Sequence, residues 1–275
     1  MRAGFTALLA LCLGIALAFL CAPIVALFTE APLSDVPNLL RDPAVRDTLA
    51  VTLRTNLIAN GLIIVVGTPA AYLLGTRRFP GRGAIITAIE LPLVLPPAVA
   101  GIGLLAAFGA GGLFGGALQD AGIVLPFTEW AVVMAVVFVA SPFFLRQAIA
   151  AFESVDPTLT DAARTLGASP LRTFVRIALP LAAGGLAAGW VLAFARGVGE
   201  FGATIVFAGN VRGETQTLTL AIYEQLEASL DVALSIGILL VMISAFVLIS
   251  YKLLSWRRSN STSPTPFAAS SSAAA

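Results

Sequence analysis

DAARTLGASPLRTFVRIALP, residues 161–180, is a polar island between two apolar runs of membrane length. Around it the 275-residue chain is 58% hydrophobic and only 11% charged. A mean hydropathy of +0.95 places it among integral membrane proteins. A chain this apolar does not need a charged loop for its own insertion, so the loop is expected to touch something outside the membrane. Its local signals are those of a helix. Asp156 can cap and Pro157 can open the first turn. Leu159, Ala162, Ala163 and Leu166 then recur at helical spacing on one face, with Thr160, Asp161, Arg164 and Thr165 on the other. Gly167 stands where a left-handed cap residue belongs. Ser169-Pro170 restarts a helix, and Pro180 is expected to break it where the next apolar run begins.

Outward from the island, a bilayer core asks for about 20 apolar residues per spanning helix. Six stretches qualify: 4–28, 50–75, 84–108, 129–150, 181–208 and 232–255. Each satisfies its own backbone hydrogen bonds only as a helix, and the alternation of a membrane β-barrel is absent. The expected fold is therefore an all-α integral membrane protein. One transmembrane domain covers 1–258, with six transmembrane helices and a short helix between the fourth and fifth. The Ser- and Ala-rich residues 259–275 read as a disordered tail. With the N-terminus cytoplasmic, Arg2, Arg77, Arg78, Arg82, Arg146, Arg164, Arg172, Arg176, Lys252, Arg257 and Arg258 fall inside. Only Arg41, Arg46, Arg54 and Arg212 fall outside. The positive-inside rule thus puts both termini, and the polar island, in the cytoplasm. The first run has one basic residue and an apolar stretch too long for a signal peptide, so it reads as a retained helix.

Several chemistries are excluded. There is no His, and the single Lys252 follows no Gly-rich loop, so no P-loop exists for ATP hydrolysis. Cys12 and Cys21, nine residues apart on the first helix, point to opposite sides and cannot bridge each other. No catalytic or metal site is expected, nor a nucleic-acid partner.

Polar residues inside the spans are the other signal. Thr48, Thr52, Asn56 and Asn60 recur every four residues and share a helix face. That face fits interhelical hydrogen bonding or the lining of a substrate path. The third span holds Glu90 and the run Leu91-Pro92-Leu93-Val94-Leu95-Pro96-Pro97, whose prolines should kink it. Ser141-Pro142 suggests another kink in the fourth span. In the fifth, Gly185-x-x-x-Gly189 permits close approach of another helix. Arg196 and Glu200 follow, four apart and able to pair. Each charge would cost roughly 2.5–3.5 kcal/mol at mid-membrane, so the two must pair or reach water. The glycines around them favour a hinge.

The spacing of the polar island resembles the cytoplasmic coupling loop of importer-type ABC-transporter permeases, whose pattern is EAA, three residues, G, nine residues, I-x-L-P. Asp161-Ala162-Ala163, Gly167 and Ile177-x-Leu179-Pro180 follow it, with Asp161 where Glu is usual. Asp keeps the negative charge at a helix N-terminus, where it is favoured. Across residues 48–255 further pieces look like the molybdate/tungstate permeases of that family: Leu91 to Pro97, Ala162 to Ala168, Phe194-Ala195-Arg196, Gly199 to Thr204 and Gly213 to Thr217. Sulfate/thiosulfate permeases are near relatives and share much of the pattern.

The resemblance implies an inner-membrane permease that passes an oxyanion inward by alternating access. It implies three partners: a second copy of the chain, an ABC ATPase subunit on the cytoplasmic side, and an extracytoplasmic oxyanion-binding protein. The chain itself would bind no cofactor; ATP and Mg would be used by the partner. Asp161, Ala162, Ala163 and Gly167 would couple to the ATPase, with Ile177, Leu179 and Pro180 anchoring the loop to the fifth span. The expected pathway or gate residues are Asn56, Glu90, Pro96, Pro97, Arg196, Glu200 and Thr204. A proton-driven secondary transporter, with its ion site at Glu90 or Arg196–Glu200, and an intramembrane enzyme are the rival classes. The second would need a nucleophile with a base or a metal, which this composition does not offer.

Overall fold

The computed structural model describes residues 2–32 and 36–260, with side chains from Gly4 to Leu253 in that range. The expected tail lies outside the described residues except for Ser259 and Asn260, which end the last helix. Among the described residues the regular structure is helical throughout. Helix α1 (Arg2–Glu30) is long and apolar enough to cross a membrane, and it runs through Pro23. A short α2 (Val36–Leu39) precedes α3 (Pro43–Thr76). The second span therefore starts seven residues earlier than expected. The cause is local: Asp42 caps α3 by accepting the Ala44 N–H at 2.9 Å, and Pro43 occupies the first helical position.

The third expected span is not one helix. It is α4 (Arg82–Val94) and α5 (Pro97–Phe108), bent by 115° at Leu95-Pro96. Adjacent prolines remove two consecutive donors, and each disfavours helix in the residue before it, so a break replaces the expected kink. Five helices, or six if the bent pair is one span, can cross the membrane. After α6 (Gly115–Asp120), α7 (Glu129–Glu153) continues unbroken through Pro142. Then come α8 (Pro157–Thr165), α9 (Pro170–Thr173), a π-helical turn (Phe174–Ala178) and α10 (Leu179–Val198).

Pro180 does not break the chain here. One continuous helical run extends from Pro170 to Val198. The π turn lies just where the proline ring would otherwise clash with the carbonyl of Arg176 four residues back, and its wider winding relieves that clash. The fifth span ends at Val198; Gly199, Glu200 and Phe201 separate it from α11 (Gly202–Phe207). Helix α12 (Leu218–Ala228) and α13 (Leu230–Asn260) complete the chain.

Helices α3, α7 and α10 form the centre. Ala59, Ala71, Ala140, Ala148, Ala182 and Ala193 are buried there with Phe144 and Phe152. Lipid offers helices no hydrophobic drive to associate, so close contact through small residues takes its place. A Cβ on Gly185 would fall 2.4 Å from Ala151 Cβ, and one on Gly189 would fall 3.1 Å from Gln147 Cβ, so the close approach expected at these glycines is to α7. A second cluster sets α5 and α11 against α7, and a third packs α12 on α13. Helix α1 lies against α13 and is exposed along most of its length.

Candidate functional site

Two sites emerge. The first is α8. Asp156 accepts the Thr158 N–H at 2.9 Å, and this backbone bond, together with the Thr158 hydroxyl, holds its carboxyl below the ordinary range. At the other end Gly167 adopts φ 83°, its N–H bonds Arg164 O at 3.0 Å, and the Ala168 N–H bonds Ala163 O at 3.0 Å. These two bonds are a Schellman cap, which only a residue tolerant of positive φ closes without strain. The helix is therefore fixed at both ends.

Its apolar face is only partly used. Ala163 is buried, whereas Leu159 is 47% and Leu166 88% exposed, and Leu171 and Val175 beyond are exposed too. Asp161 meets Arg164 at 3.4 Å in a surface pair, which contributes little. A cavity of about 320 Å³ separates α8 from the α3–α4 turn, lined by Arg77, Arg78, Glu153, Thr160, Asp161 and Arg164. The turn and α8 thus lie at the same end of the molecule.

What attaches this end is partly different from expectation. Ile177 and Leu179 are half-buried and Pro180 is exposed. Thr173 and Ala178 carry the burial, and Phe174 packs at a tilt against Tyr72 with ring centroids 4.7 Å apart, beside Phe152. This aromatic trio had no sequence signal, because its members come from three separate helices.

The second site is the pair of breaks α4–α5 and α10–α11, which meet. A Cβ on Gly202 would lie 2.6 Å from Pro97 Cβ, so the start of α11 sits on the start of α5, beside Pro96. Glu200, 2% exposed, fills the gap after α10. Its Oε1 accepts the Ala203 N–H at 2.7 Å, which secures the first turn of α11. Its Oε2 lies 2.7 Å from Arg196 Nη2, an ion-pair distance, but off the line of a hydrogen bond. The Glu200 carbonyl accepts the Thr219 hydroxyl at 2.6 Å. Thr204, fully buried, has no partner for its hydroxyl. One helical layer away, Asn56 Nδ2 donates to Phe194 O at 3.1 Å, and a Cβ on Gly197 would lie 2.4 Å from Asn56 Oδ1.

Asn56, Pro96, Pro97, Arg196, Glu200 and Thr204 therefore belong to one region. Glu90 does not: it faces Arg146 of α7 at 3.6 Å. The stripe of α3 joins this helix to the segment before α12 and to α10, with one link inside α3 itself. Thr52 accepts the Leu218 N–H at 2.8 Å, Asn60 Nδ2 reaches Asn56 Oδ1 at 2.7 Å, and Thr48 approaches Gln216 Oε1 at 3.3 Å. No three His, Cys, Asp or Glu converge as a metal cluster among the described residues. Arg146, Gly202 and Leu218 had no place in either site from the sequence alone, since only folding gives them their partners.

The family model "Binding-protein-dependent transport system inner membrane component" matches residues 67–260. The molybdenum transport system permease protein ModB of Mycobacterium tuberculosis is 38% identical over 231 residues, 84% of this chain and 88% of that protein. ModB of Escherichia coli strain K12 is 41% identical over 186 residues, 67% of this chain and 81% of that protein. A bacterial alginate ABC transporter, solved in complex with an alginate pentasaccharide-bound periplasmic protein, superposes with a TM-score of 0.74 at 18% identity. That match covers 92% of this chain and 94% of that one, and it speaks to the fold alone.

Proposed function

The chain belongs to the family of binding-protein-dependent transport system inner membrane components, and from that premise we propose that it is the permease of an ATP-driven importer of molybdate or tungstate. The observation that carries the substrate is the similarity to molybdenum permeases over most of both chains. As a multi-pass inner-membrane permease of this family, it works with a substrate-binding protein and an ATPase. In this reading two copies of the chain form the path, each with an ATPase at α8, and both termini are cytoplasmic. ATP and Mg are used by the ATPase; the permease holds no cofactor of its own.

The capped α8, with Leu159 and Leu166 uncovered, supports its role as the coupling helix. A rigid helix transmits displacement, and exposed leucines give the ATPase an apolar surface to hold. Asp161, Ala162, Ala163 and Gly167 shape that element, while Ile177, Leu179 and Pro180 continue it into α10. The region where the two breaks meet, at Pro96, Pro97, Arg196, Glu200 and Thr204, is the proposed gate, with Asn56 bracing it. Alternating access follows as ATP binding draws the α8 helices together and the breaks flex.

Reconstitution with the ATPase and binding protein tests the reading. Molybdate uptake should require ATP and be competed by tungstate. Equal inhibition by sulfate at the same concentration would overturn the molybdate preference, and uptake driven by a proton gradient without ATPase would overturn the class.

A further inference from the structure

Helices α4 and α7 run antiparallel and are joined by two ion pairs. Arg82 pairs with Glu153 where both helices meet the polar turn, and Glu90 pairs with Arg146 further along. At about 1.5 Å per residue, Glu90 and Arg146 lie roughly 10–12 Å from that end, about two helical turns in from the polar turn and within the apolar runs 84–108 and 129–150. Yet the Arg146 side chain is 72% exposed and that of Glu90 38%. The pair is 3.6 Å apart, so Arg146 keeps hydrogen-bond donors open. Hydrocarbon does not tolerate such a pair unsheltered; charges at this depth face a water-filled cavity or other protein. Between the two pairs lies a cavity of about 260 Å³, lined by Arg82, Ile86, Ile89, Glu90, Arg146 and Ala150. It opens at the same end of the molecule as α8, since Glu153 also lines the cavity beside Asp161.

We propose that this face is the wall of a water-filled cytoplasmic vestibule, and that Arg146 is its oxyanion contact, taking the tetrahedral dianion after it passes the gate. The proposal rests on the oxyanion-import reading and adds a site on the far side of the breaks. Glu90 gives the site its character. Even with water present, a bare arginine on this wall would hold a dianion more firmly than a cation half-neutralised by a carboxylate, which offers a weaker contact that the anion can leave. Passage requires binding of that intermediate strength. Arg82, 17% exposed and bonded to Leu74 O at 2.6 Å, is the structural member of the ladder.

The test uses the full transporter complex in vesicles. Cys12 and Cys21 are replaced by Ser, and Ala150→Cys places a thiol in the cavity wall. Impermeant anionic and cationic methanethiosulfonates are added from the ATPase side. The thiol should react with both, the anionic reagent several-fold faster, and Arg146→Gln should abolish that preference. Arg146→Gln should also lower molybdate uptake at least tenfold, with Arg146→Lys largely retaining it. Glu90→Gln should raise the anionic preference while slowing turnover. No reaction at position 150 would place the face in lipid and sink the vestibule. Reaction without charge preference, or normal uptake by Arg146→Gln, would remove Arg146 from the path. Should the unmodified complex fail to take up molybdate, the import reading fails, and the labelling ratio still decides the vestibule.

Discussion

At the residue scale, Gly167, Glu200 and Asp156 each act through contacts that a single substitution can remove. Gly167 sits at φ 83° with open space around the missing Cβ, so substitution there strains the backbone without a steric clash. A β-branched residue in that region costs about 1–2 kcal/mol. Gly167→Val should leave the chain inserted but uncouple ATP hydrolysis from uptake; transport at the normal rate in proteoliposomes would remove α8 from the coupling role. Glu200 closes a buried contact with Arg196 and the α11 amide. Removing one member of a buried pair costs about 3–5 kcal/mol. Glu200→Ala should therefore lower the melting temperature in detergent sharply, whereas Glu200→Gln, which keeps an oxygen for the Ala203 N–H, should lower it less. Equal melting of the two would show that the amide bond matters little. The Asp156 cap adds a pH dependence whose sign is set by its depressed carboxyl. Its contribution is complete above the ordinary aspartate range and is lost only as acid titrates the folded-state group below it. Amide exchange in α8 should be insensitive to Asp156 protonation near neutrality, and Asp156→Asn should preserve protection that Asp156→Ala loses.

At the element scale, the molecule is governed by how closely helices approach. The α3–α10 joint depends on Gly197 accepting Asn56, with 2.4 Å between a notional Cβ and Asn56 Oδ1. Gly197→Ala should destabilise the protein, and Asn56→Ala in the same chain should restore part of the loss. Thermal melts of the two single variants and the double variant measure this coupling directly; strictly additive losses would mean the two side chains do not meet. The breaks follow the same logic. Pro96-Pro97 and Gly199 to Phe201 interrupt their helices, and the freed backbone is answered by neighbours, as Thr219 answers the Glu200 carbonyl. Prolines in the sequence announced an irregularity in the third span. The structure shows it as a 115° bend, with α5 packed against α11.

At the scale of the whole molecule, the cavity shared by the α3–α4 turn and α8 puts Arg77, Arg78 and Arg164 at one end. With both termini cytoplasmic, as proposed, that end is the cytoplasmic one by the positive-inside rule. A green fluorescent reporter fused at the C-terminus should fluoresce, and alkaline phosphatase fused there should stay inactive; the opposite pattern would invert the molecule. Helix α1, exposed along most of its length and set against α13, contributes little to the core, so its deletion should unsettle the remaining helices less than any change at Gly185 or Glu200.

The sequence by itself determined the helical membrane class and the capped polar helix that opens at Pro157, and it left Arg196 and Glu200 to pair or to reach water. The first two depend on hydropathy or on residues a few positions apart, where spacing along the chain is spacing in the helix. Tertiary structure alone decided that Glu90 faces Arg146, away from the region of Arg196 and Glu200, that Thr52 serves the backbone of Leu218, and that an aromatic trio holds the base of α10. Those contacts join residues far apart in the chain. No local periodicity records them, because they exist only once helices have chosen which small-residue faces to bring together.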